Sequence, residues 1–243
     1  MPQLFPKSSN AIAKLGIILG PLLFAGGGIA LAAFYRSDYT TGRNEVIEQP
    51  VPFSHLHHVN QLGIDCRYCH TSVENSAYAG IPPTKTCMNC HQQMWAGAEL
   101  LEPVRKSYKT NMPIEWTKVH NTPDYVYFNH SIHVAKGVGC SSCHGRVDEM
   151  PLVFQSKTLL MEWCLNCHRV PELHLRPKSE VFNLGWKPTD VAFTDDHGTK
   201  YSSIDTDGTK ILTQSQSELG RMLKEKYHVR ESQTITNCSI CHR

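Results

Sequence analysis

The sequence predicts one N-terminal transmembrane helix followed by a domain of short helices and much irregular chain, with little or no sheet. Two observations carry this prediction. Residues 15–35 form an uncharged, largely apolar run near the N-terminus, and the pattern Cys-x-x-Cys-His occurs five times in the remainder. Residues 37–243 provide 207 positions for the five repeats, about 41 each, which leaves room mainly for short helices and irregular chain.

The five repeats occupy residues 66–70, 87–91, 140–144, 164–168 and 238–242, numbered here motif 1 to motif 5. Each is the attachment signature of c-type haem, in which two thiols form thioethers to the haem vinyl groups and the following His binds the iron. Zinc and iron–sulfur sites also use Cys-x-x-Cys pairs, but they do not require His directly after the second Cys. The motifs use all 10 cysteines of the chain. The sequence therefore predicts five covalently attached haem c groups.

The motifs assign the attachment residues directly. The predicted thioether cysteines are Cys66, Cys69, Cys87, Cys90, Cys140, Cys143, Cys164, Cys167, Cys238 and Cys241. The predicted proximal iron ligands are His70, His91, His144, His168 and His242. No catalytic residue is predicted, because the sequence has no hydrolase, metalloprotease, P-loop or dinucleotide-binding fingerprint.

The apolar run 15–35 would be roughly 31 Å long as a helix, which is enough to cross a bilayer. Residues 30–32 (Ala-Leu-Ala) resemble a signal-peptidase site, so a cleaved signal peptide is the alternative. The run is longer than the apolar region of most signal peptides and favours an uncleaved anchor. Lys7 and Lys14 agree with a cytoplasmic N-terminus, although Arg36 weakens the bias. Bacteria attach haem outside the cytoplasm, so we expect a single-pass inner-membrane protein with a periplasmic haem domain.

The charge balance excludes one class of partner. The formal net charge is +2, with Lys+Arg 24 against Asp+Glu 22. No Lys/Arg-rich block occurs, so nothing indicates a nucleic-acid partner.

Two stretches resemble each other and indicate a duplicated unit. Residues 53–58 and 128–133 both have Phe two positions before His-x-x-His, and each stretch is followed by two haem motifs. A low-spin haem iron takes a sixth ligand opposite the proximal His, and His side chains at i and i+3 of a helix project from nearly one face. The predicted distal ligands are therefore His55, His58, His130 and His133. His57 aligns with Ile132 and is not a predicted ligand.

No such His pair precedes motif 5. The candidates for its sixth ligand are His120, Met150 and Met161, of which His120 and Met150 are preferred, with His174, His197 and His228 as further alternatives. A Met ligand would raise the potential relative to bis-His ligation, whereas a Met side chain in a protein more often only fills space. An open sixth position is disfavoured, because the multihaem nitrite reductases that have one often replace the proximal His by Lys.

The Phe-Ser-His-x-x-His stretch followed by Cys-x-x-Cys-His resembles the small multihaem cytochromes of the c3/c7 type. Residues 116–130, 144–150 and 160–169, together with five motifs and one membrane helix, are more narrowly similar to the pentahaem cytochrome c subunit of bacterial alternative complex III. This resemblance covers residues 11–176. It implies a subunit of a quinol oxidoreductase that passes electrons to a periplasmic cytochrome c or directly to a terminal oxidase.

The motif spacing and the resemblance divide the chain into expected segments. These are a cytoplasmic tail (1–10), a transmembrane signal-anchor helix (11–36), a linker (37–51), a first dihaem c7-like module (52–100), a connector (101–127), a second dihaem c7-like module (128–176) and a C-terminal extension carrying the fifth haem (177–243).

The resemblance implies an electron-transfer subunit that is not an enzyme by itself. The implied partners are multi-span quinol-site subunits, an iron–sulfur subunit and a monohaem cytochrome c of the same complex. Three alternatives stay open: a membrane-anchored multihaem quinol dehydrogenase, a haem subunit of a molybdopterin oxidoreductase complex, and an anchored electron shuttle.

Overall fold

The computed structural model describes residues 5–242. The described chain divides into two compact units, with the boundary along the chain between residues 43 and 44. The first unit contains helix α1 (Ser9–Tyr35) and helix α2 (Asp38–Thr41). α1 buries none of its residues and is long and apolar enough to cross a membrane. A helix pairs nearly all of its interior backbone groups within itself, as a hydrocarbon environment requires, although Pro21 inside α1 has no N–H to donate to the carbonyl one turn earlier.

The second unit is built from short helices. Its α-helices are α3 (Cys66–Cys69), α4 (Thr84–His91), α5 (Glu102–Thr110), α6 (His130–Ala135), α7 (Cys140–His144), α8 (Met161–Arg169), α9 (Gln216–Lys226), α10 (Ser232–Ile235) and α11 (Cys238–Cys241). Further short turns of helix are a π-helix, Leu56–Gln61, and the 3₁₀ helices Glu99–Leu101, Val147–Glu149, Pro171–Leu173 and Lys178–Glu180. Each haem motif forms or ends one of the short α-helices.

A small antiparallel sheet lies in the C-terminal extension. Its strands are β1 (Phe193–Thr194), β2 (Lys200–Ile204) and β3 (Lys210–Leu212), in the order β1-β2-β3. The predicted fold class is confirmed: one apolar N-terminal helix, many short helices, irregular chain and little sheet.

The larger hydrophobic core lies in this extension, together with Leu175 just before it, and contains no residue of a motif. It consists of Leu175, Trp186, Ile211, Leu219, Leu223 and Tyr227. Helix α9 begins with a capping box between Ser215 and Glu218. The helix lies so close to the turn Pro171–Leu173 that a side chain at Gly220 would overlap the Glu172 carbonyl. Burying apolar surface in this way stabilises the extension without help from a prosthetic group.

A buried carboxylate ties the extension together. Asp205 is 4% exposed. Its Oδ2 accepts hydrogen bonds from the Lys226 ammonium (2.9 Å) and the Tyr227 hydroxyl (2.6 Å), and its Oδ1 accepts one from the Lys178 backbone N–H (2.8 Å). Burial alone would raise the pKa of Asp205, but the hydrogen bonds from Lys226 and Tyr227 outweigh burial and hold the pKa below its ordinary value.

Candidate haem-binding site

Most of the predicted His ligands are oriented by backbone carbonyls. In seven of the nine, Nδ1 lies within hydrogen-bonding distance of a carbonyl oxygen. The pairs are His58 with Ser54 (2.8 Å), His70 with Gly80 (2.7 Å), His91 with Met94 (3.1 Å), His130 with Ala77 (2.8 Å), His133 with Asn129 (2.7 Å), His168 with Ile235 (2.7 Å) and His242 with Tyr125 (3.1 Å). A carbonyl only accepts, so Nδ1 carries the proton and Nε2 is the free, neutral nitrogen that a metal binds.

His57, which adjoins the predicted ligand His58 but was not predicted as a ligand itself, differs from this pattern. Nδ1 of His57 lies 2.8 Å from the side-chain oxygen of its neighbour Gln61, and His57 is exposed. Its hydrogen bond therefore stays on the outer surface of the π-helix.

The two predicted His pairs have the same geometry around a Phe side chain. Phe53 stacks on His58 (centroids 4.3 Å apart, 26° between planes) and meets His55 edge-on (4.8 Å, 85°). Phe128 stacks on His133 (4.7 Å, 23°) and meets its partner His130 edge-on (4.8 Å, 89°). The duplicated sequence pattern is thus a duplicated arrangement in which one aromatic ring orients two imidazoles.

The backbone of the two pairs differs. His130 and His133 lie within α6, as expected for a spacing of three residues. His55 only precedes the π-helix Leu56–Gln61, and the Leu56 N–H donates to the carbonyl of Met150 instead of to its own helix. Tertiary contacts therefore shape the first pair more than helix propensity does.

Three predicted distal rings face three proximal rings. The centroids are 6.1 Å apart for His58 and His91, 6.1 Å for His133 and His168, and 6.3 Å for His130 and His144, whose planes differ by 11°. Two imidazoles bound through Nε2 to opposite sides of one metal, at about 2 Å per bond, have centroids roughly 6 Å apart. These separations match the space that one iron requires.

His55 and His144 lie in the interior of the second unit. Burial, followed by the nearby imidazoles of His70 and His58, lowers the pKa of His55 to about 4. Burial, followed by the imidazole of His120, lowers the pKa of His144 to about 3. Both rings are therefore neutral at physiological pH, which is the form that ligates iron. Within residues 5–242, Nδ1 of His55 is buried without a hydrogen-bond partner.

Two of the candidates for the sixth ligand of the motif 5 haem lie at motif 3. The His120 ring is 4.3 Å from that of His144 at 67°, which is too close for an iron between them. Met150 is 5% exposed and its methyl group is 3.5 Å from where a Cβ on Gly145 would lie. Gly145 has φ +69°, and an added Cβ would also meet the Ser156 hydroxyl at 2.8 Å, so this position directly after motif 3 requires glycine.

Motif 2 is in contact with motif 1. The amide of Asn89, inside motif 2, donates a 3.0 Å hydrogen bond to the Tyr68 hydroxyl, inside motif 1. Burial, followed by the neighbouring thiol of Cys87, raises the pKa of Cys69. The attachment thiols of the two motifs are therefore neighbours in the structure.

Motif 1 is also the neighbour of motif 3. The loop after motif 1 supplies the Ala77 carbonyl, which accepts from the His130 imidazole at 2.8 Å and from its backbone N–H at 3.2 Å. Burial raises the pKa of Cys140 to about 11, and the thiol of Cys66 acts in the same direction. A segment of the first duplicated unit thus positions a predicted ligand of the second.

Motif 4 connects motif 3 with motif 5. Burial, followed by the thiols of Cys167 and Cys164, raises the pKa of Cys143 to about 12. Burial and the thiol of Cys241 likewise raise the pKa of Cys164. The carbonyl of Ile235, three residues before motif 5, orients the His168 ring. From these hydrogen bonds and electrostatic neighbours within residues 5–242, we infer the spatial order 2, 1, 3, 4, 5.

The surroundings of the motifs fit haem better than a zinc ion. In the part of the chain that the structure describes, no three His, Cys, Asp or Glu side chains converge as a metal-binding group. Large apolar side chains near the motifs are left outside the protein core: Tyr68, Ile81, Met94, Trp95, Tyr125, Tyr127 and Met161. These side chains would pack against the apolar porphyrin ring, and the aromatic rings of Tyr and Trp are suited to pack on its face.

Comparison with known proteins decides the family. No family model matches the chain. An aligned segment of 142 residues is 31% identical to the "Menaquinone reductase, multiheme cytochrome c subunit" of Nitratidesulfovibrio vulgaris strain Hildenborough. The alignment covers 50% of this chain and 68% of that protein. The chain belongs to the multihaem cytochromes c.

As a multihaem cytochrome c, the protein carries covalent haem c, to which its Cys-x-x-Cys-His motifs are suited. Haem supplies one-electron exchange, and the chain sets its potential by axial ligand type, burial and hydrogen bonding. The comparison establishes the family but not the expected complex. The sequence-based expectation was a subunit of alternative complex III, whereas the similar protein is named as a subunit of a menaquinone reductase.

Several residues of this cytochrome were not singled out by sequence reasoning. The carbonyls of Ala77 and Ile235 orient His130 and His168 from 53 and 67 residues away along the chain. No local sequence signal marks a backbone carbonyl as a partner. The recurring Phe53 and Phe128 were noticed in the sequence, but only the structure shows that their rings stack on His58 and His133.

Proposed function

We propose that this multihaem cytochrome c is the pentahaem electron-transfer subunit of a membrane-bound quinol:cytochrome c, or quinol:oxidase, oxidoreductase. It relays electrons from quinol oxidation to a periplasmic acceptor. The observation that carries the proposal is the series of five motifs, linked by hydrogen bonds between them or their neighbouring segments, that follows one helix suited to a membrane. The similar protein's description as a menaquinone reductase subunit supports the link to quinones.

The proposal includes five haems and an assignment of their ligands. Each motif binds its haem through its two Cys and its own His. The distal ligands are His55 for motif 1, His58 for motif 2, His130 for motif 3 and His133 for motif 4. The ring separations of 6.1–6.3 Å support the last three, and the proximity of His55 to His70 supports the first.

The direction of electron flow has a second candidate. The similar protein is named a menaquinone reductase subunit, which favours delivery of electrons to a membrane quinone from a periplasmic donor. In that case the same row of haems works in the opposite direction, as in a complex with a periplasmic oxidoreductase partner. Neither direction requires a substrate pocket in this chain.

Purification from native membranes in a mild detergent tests the proposed function. We expect multi-span quinol-site subunits and an iron–sulfur subunit to co-purify with the chain, and the complex to reduce cytochrome c with quinol. Co-purification with a periplasmic oxidoreductase, together with menaquinone reduction, would instead support the second candidate. Isolation of the chain alone, without quinone-linked activity, contradicts both.

A further inference from the structure

The segment around Arg176, where the C-terminal extension begins, is joined to the backbone that enters motif 3. The N–H of Arg176 donates to the Gly137 carbonyl (2.8 Å), and the N–H of Cys140 donates to the Val181 carbonyl (3.1 Å). Leu175, directly before Arg176, is 2% exposed and belongs to the larger hydrophobic core. The backbone that carries the Arg176 side chain is therefore held by hydrogen bonding and by burial of its neighbour.

The Arg176 guanidinium lies against both neighbours of the attachment cysteine Cys140. On one side, its Nη2 donates a 3.0 Å hydrogen bond to the Ser141 hydroxyl, inside motif 3. On the other side, a Cβ added to Gly139 would overlap the guanidinium carbon and Nε. The guanidinium is thus in direct contact with the backbone of the attachment segment, which glycine at residue 139 makes possible.

The other partners of the guanidinium are neutral. Nη1 donates to the Asn183 carbonyl (2.9 Å), and Cζ lies 5.7 Å from the centroid of the Trp186 ring. Within residues 5–242, no carboxylate oxygen lies within 4.0 Å of the Arg176 nitrogens. The carboxylate of Glu180 accepts from the Asn183 amide instead (2.9 Å). The positive charge is therefore fixed in place by neutral groups and not by a counter-ion.

Burial does not remove this charge. Burial lowers the pKa of Arg176, but a guanidinium starts from so high a pKa that it stays protonated in proteins. Burial, followed by the thiol of Cys66, raises the pKa of Cys140, and the charge of Arg176 opposes that rise. Asp65, a further charge near Cys140, pairs with Arg67 at 2.8 Å. Arg176 therefore places a positive charge beside Cys140 that these carboxylates do not pair with.

A fixed charge at this position acts on the redox equilibrium of a haem attached to motif 3. Cys140, whose two neighbours touch the guanidinium, forms one of the two thioether bonds to that haem. The oxidised form of a haem carries one more positive charge than the reduced form. Arg176 repels that additional charge, and because the guanidinium is partly buried, solvent and salt screen the repulsion less than at an exposed site. The charge therefore favours the reduced form.

We propose that Arg176 raises the midpoint potential of the haem attached to motif 3. The proposal rests on the proposed attachment of one haem to each motif, and it goes further by giving one residue control over the potential of one haem. Motif 3 is the middle of the inferred order 2, 1, 3, 4, 5. Arg176 thereby stabilises the reduced state at the position through which an electron passes between the two ends.

Redox titration of the full-length haem-loaded protein in detergent, followed by the haem absorption bands, tests this proposal. Arg176→Met keeps an apolar stem and removes the charge. In this variant we expect the oxidised-to-reduced ratio of one haem at a fixed potential to rise about tenfold, a shift of about 59 mV for one electron. Arg176→Lys keeps the charge and should titrate close to the wild type. In a Cys140→Ser, Cys143→Ser background, adding Arg176→Met should leave the titration of the four remaining haems unchanged.

Arg221→Met is the matched control. It removes an equal charge from an exposed side chain of α9, whose Nε donates to the Ser217 carbonyl, and it should leave every midpoint potential unchanged because solvent and salt screen an exposed charge.

Three results would overturn the proposal: an unchanged titration in Arg176→Met, an equal shift in Arg176→Met and Arg176→Lys, or a shift that persists without the motif 3 haem. An equal shift in both variants would show that Arg176 acts only through its shape. Arg176→Gln carries the same expectation as Arg176→Met and replaces it if that variant does not fold. A pyridine haemochrome count separates the two failures, because fewer than five haems in the wild type contradicts the proposed function, whereas five haems without the shift contradicts only the role of Arg176.

Discussion

At the residue scale, the protein's chemistry depends on which nitrogen of each imidazole is left free. Backbone carbonyls accept a hydrogen bond from Nδ1–H of seven predicted ligands. Each bond selects the tautomer whose Nε2 can bind iron and limits rotation of the ring. The Phe53 and Phe128 rings then restrain the two members of each pair. The ligand geometry is thus prepared by contacts that do not themselves touch a metal.

Replacing one distal His tests the pairing. We expect His130→Ala to convert one haem, that of motif 3, to a high-spin state while the other haems stay low-spin, because the 6.3 Å His130–His144 pair loses one ring. Electronic absorption and electron paramagnetic resonance measure the change. His57→Ala is the matched control and should leave every haem low-spin, because His57 is exposed and its ring hydrogen-bonds to the side chain of Gln61. An unchanged low-spin spectrum in His130→Ala would reject this ligand.

At the element scale, the two halves of the second unit are stabilised differently. Among the helices that carry motifs 1 to 4, α4 packs through Cys87 and Met88 on a small cluster formed by Val51, Leu101 and Val104. The extension has its own apolar core, a capped helix α9 and the buried Asp205 network. We therefore expect the extension to keep its structure when a haem motif is lost, whereas the helices around the motifs depend on the porphyrins for apolar contact.

The Asp205 network predicts a pH-dependent stability. Because the pKa of Asp205 is held below its ordinary value, its contribution is present above that ordinary value and is lost as pH falls through the folded-state pKa. Asp205→Asn should lower the free energy of unfolding by about 2 kcal/mol at neutral pH. The difference from wild type should shrink in acid.

Thermal denaturation followed by far-ultraviolet circular dichroism, at a series of pH values, measures this difference. Asp207→Asn is the control, since Asp207 pairs with the same Lys226 but its side chain is 53% exposed. We expect a smaller loss in that variant. Equal losses in both variants, or a difference that does not change with pH, would contradict the assigned role of Asp205.

At the scale of the whole molecule, we infer from hydrogen bonds and electrostatic neighbours that the motifs form an unbranched row in the order 2, 1, 3, 4, 5. Motif 3 then lies in the middle and motif 2 at one end. This arrangement differs from the order along the chain, because the first His pair and the loop after motif 1 bring motif 1 between motifs 2 and 3. A relay requires such continuity, since a missing member in the middle separates the two ends.

Removing single haems tests the row. Cys87→Ser with Cys90→Ser removes the haem of the end motif, and Cys140→Ser with Cys143→Ser removes that of the middle motif. In the purified complex, the middle deletion should separate the haems of motifs 1 and 2 from those of motifs 4 and 5. After rapid reduction by quinol, only one of these groups should be reduced quickly. The end deletion should leave the remaining four haems in fast exchange. Fast exchange among all haems without motif 3 would refute the order.

The membrane anchor gives a further prediction for the whole chain. Helix α1 is uncharged from residue 15 to residue 35 and exposes its apolar side chains along its length. We expect the protein to stay in the membrane fraction after an alkaline carbonate wash, because transferring this helix to water exposes a large apolar area. Release of the protein with its N-terminal residues removed would instead indicate a cleaved signal peptide.

The sequence by itself determined the covalent chemistry and the fold class. Cys-x-x-Cys-His is a local pattern whose reactive groups lie within five residues, and the apolar run 15–35 is likewise a local property. Both could therefore be read without a fold. The duplicated Phe and His pattern also predicted the candidate distal ligands, which remain predictions supported by ring geometry.

Only the tertiary structure decided which groups meet across long chain separations. It brought Ala77 to His130, Ile235 to His168 and Tyr125 to His242. It also placed His120 and Met150, the two preferred candidates for the sixth ligand of motif 5, against motif 3 instead. Spacing along a chain says nothing about distance in space once the connecting segments are irregular, because their path is set by packing and hydrogen bonding with distant residues and not by local propensity.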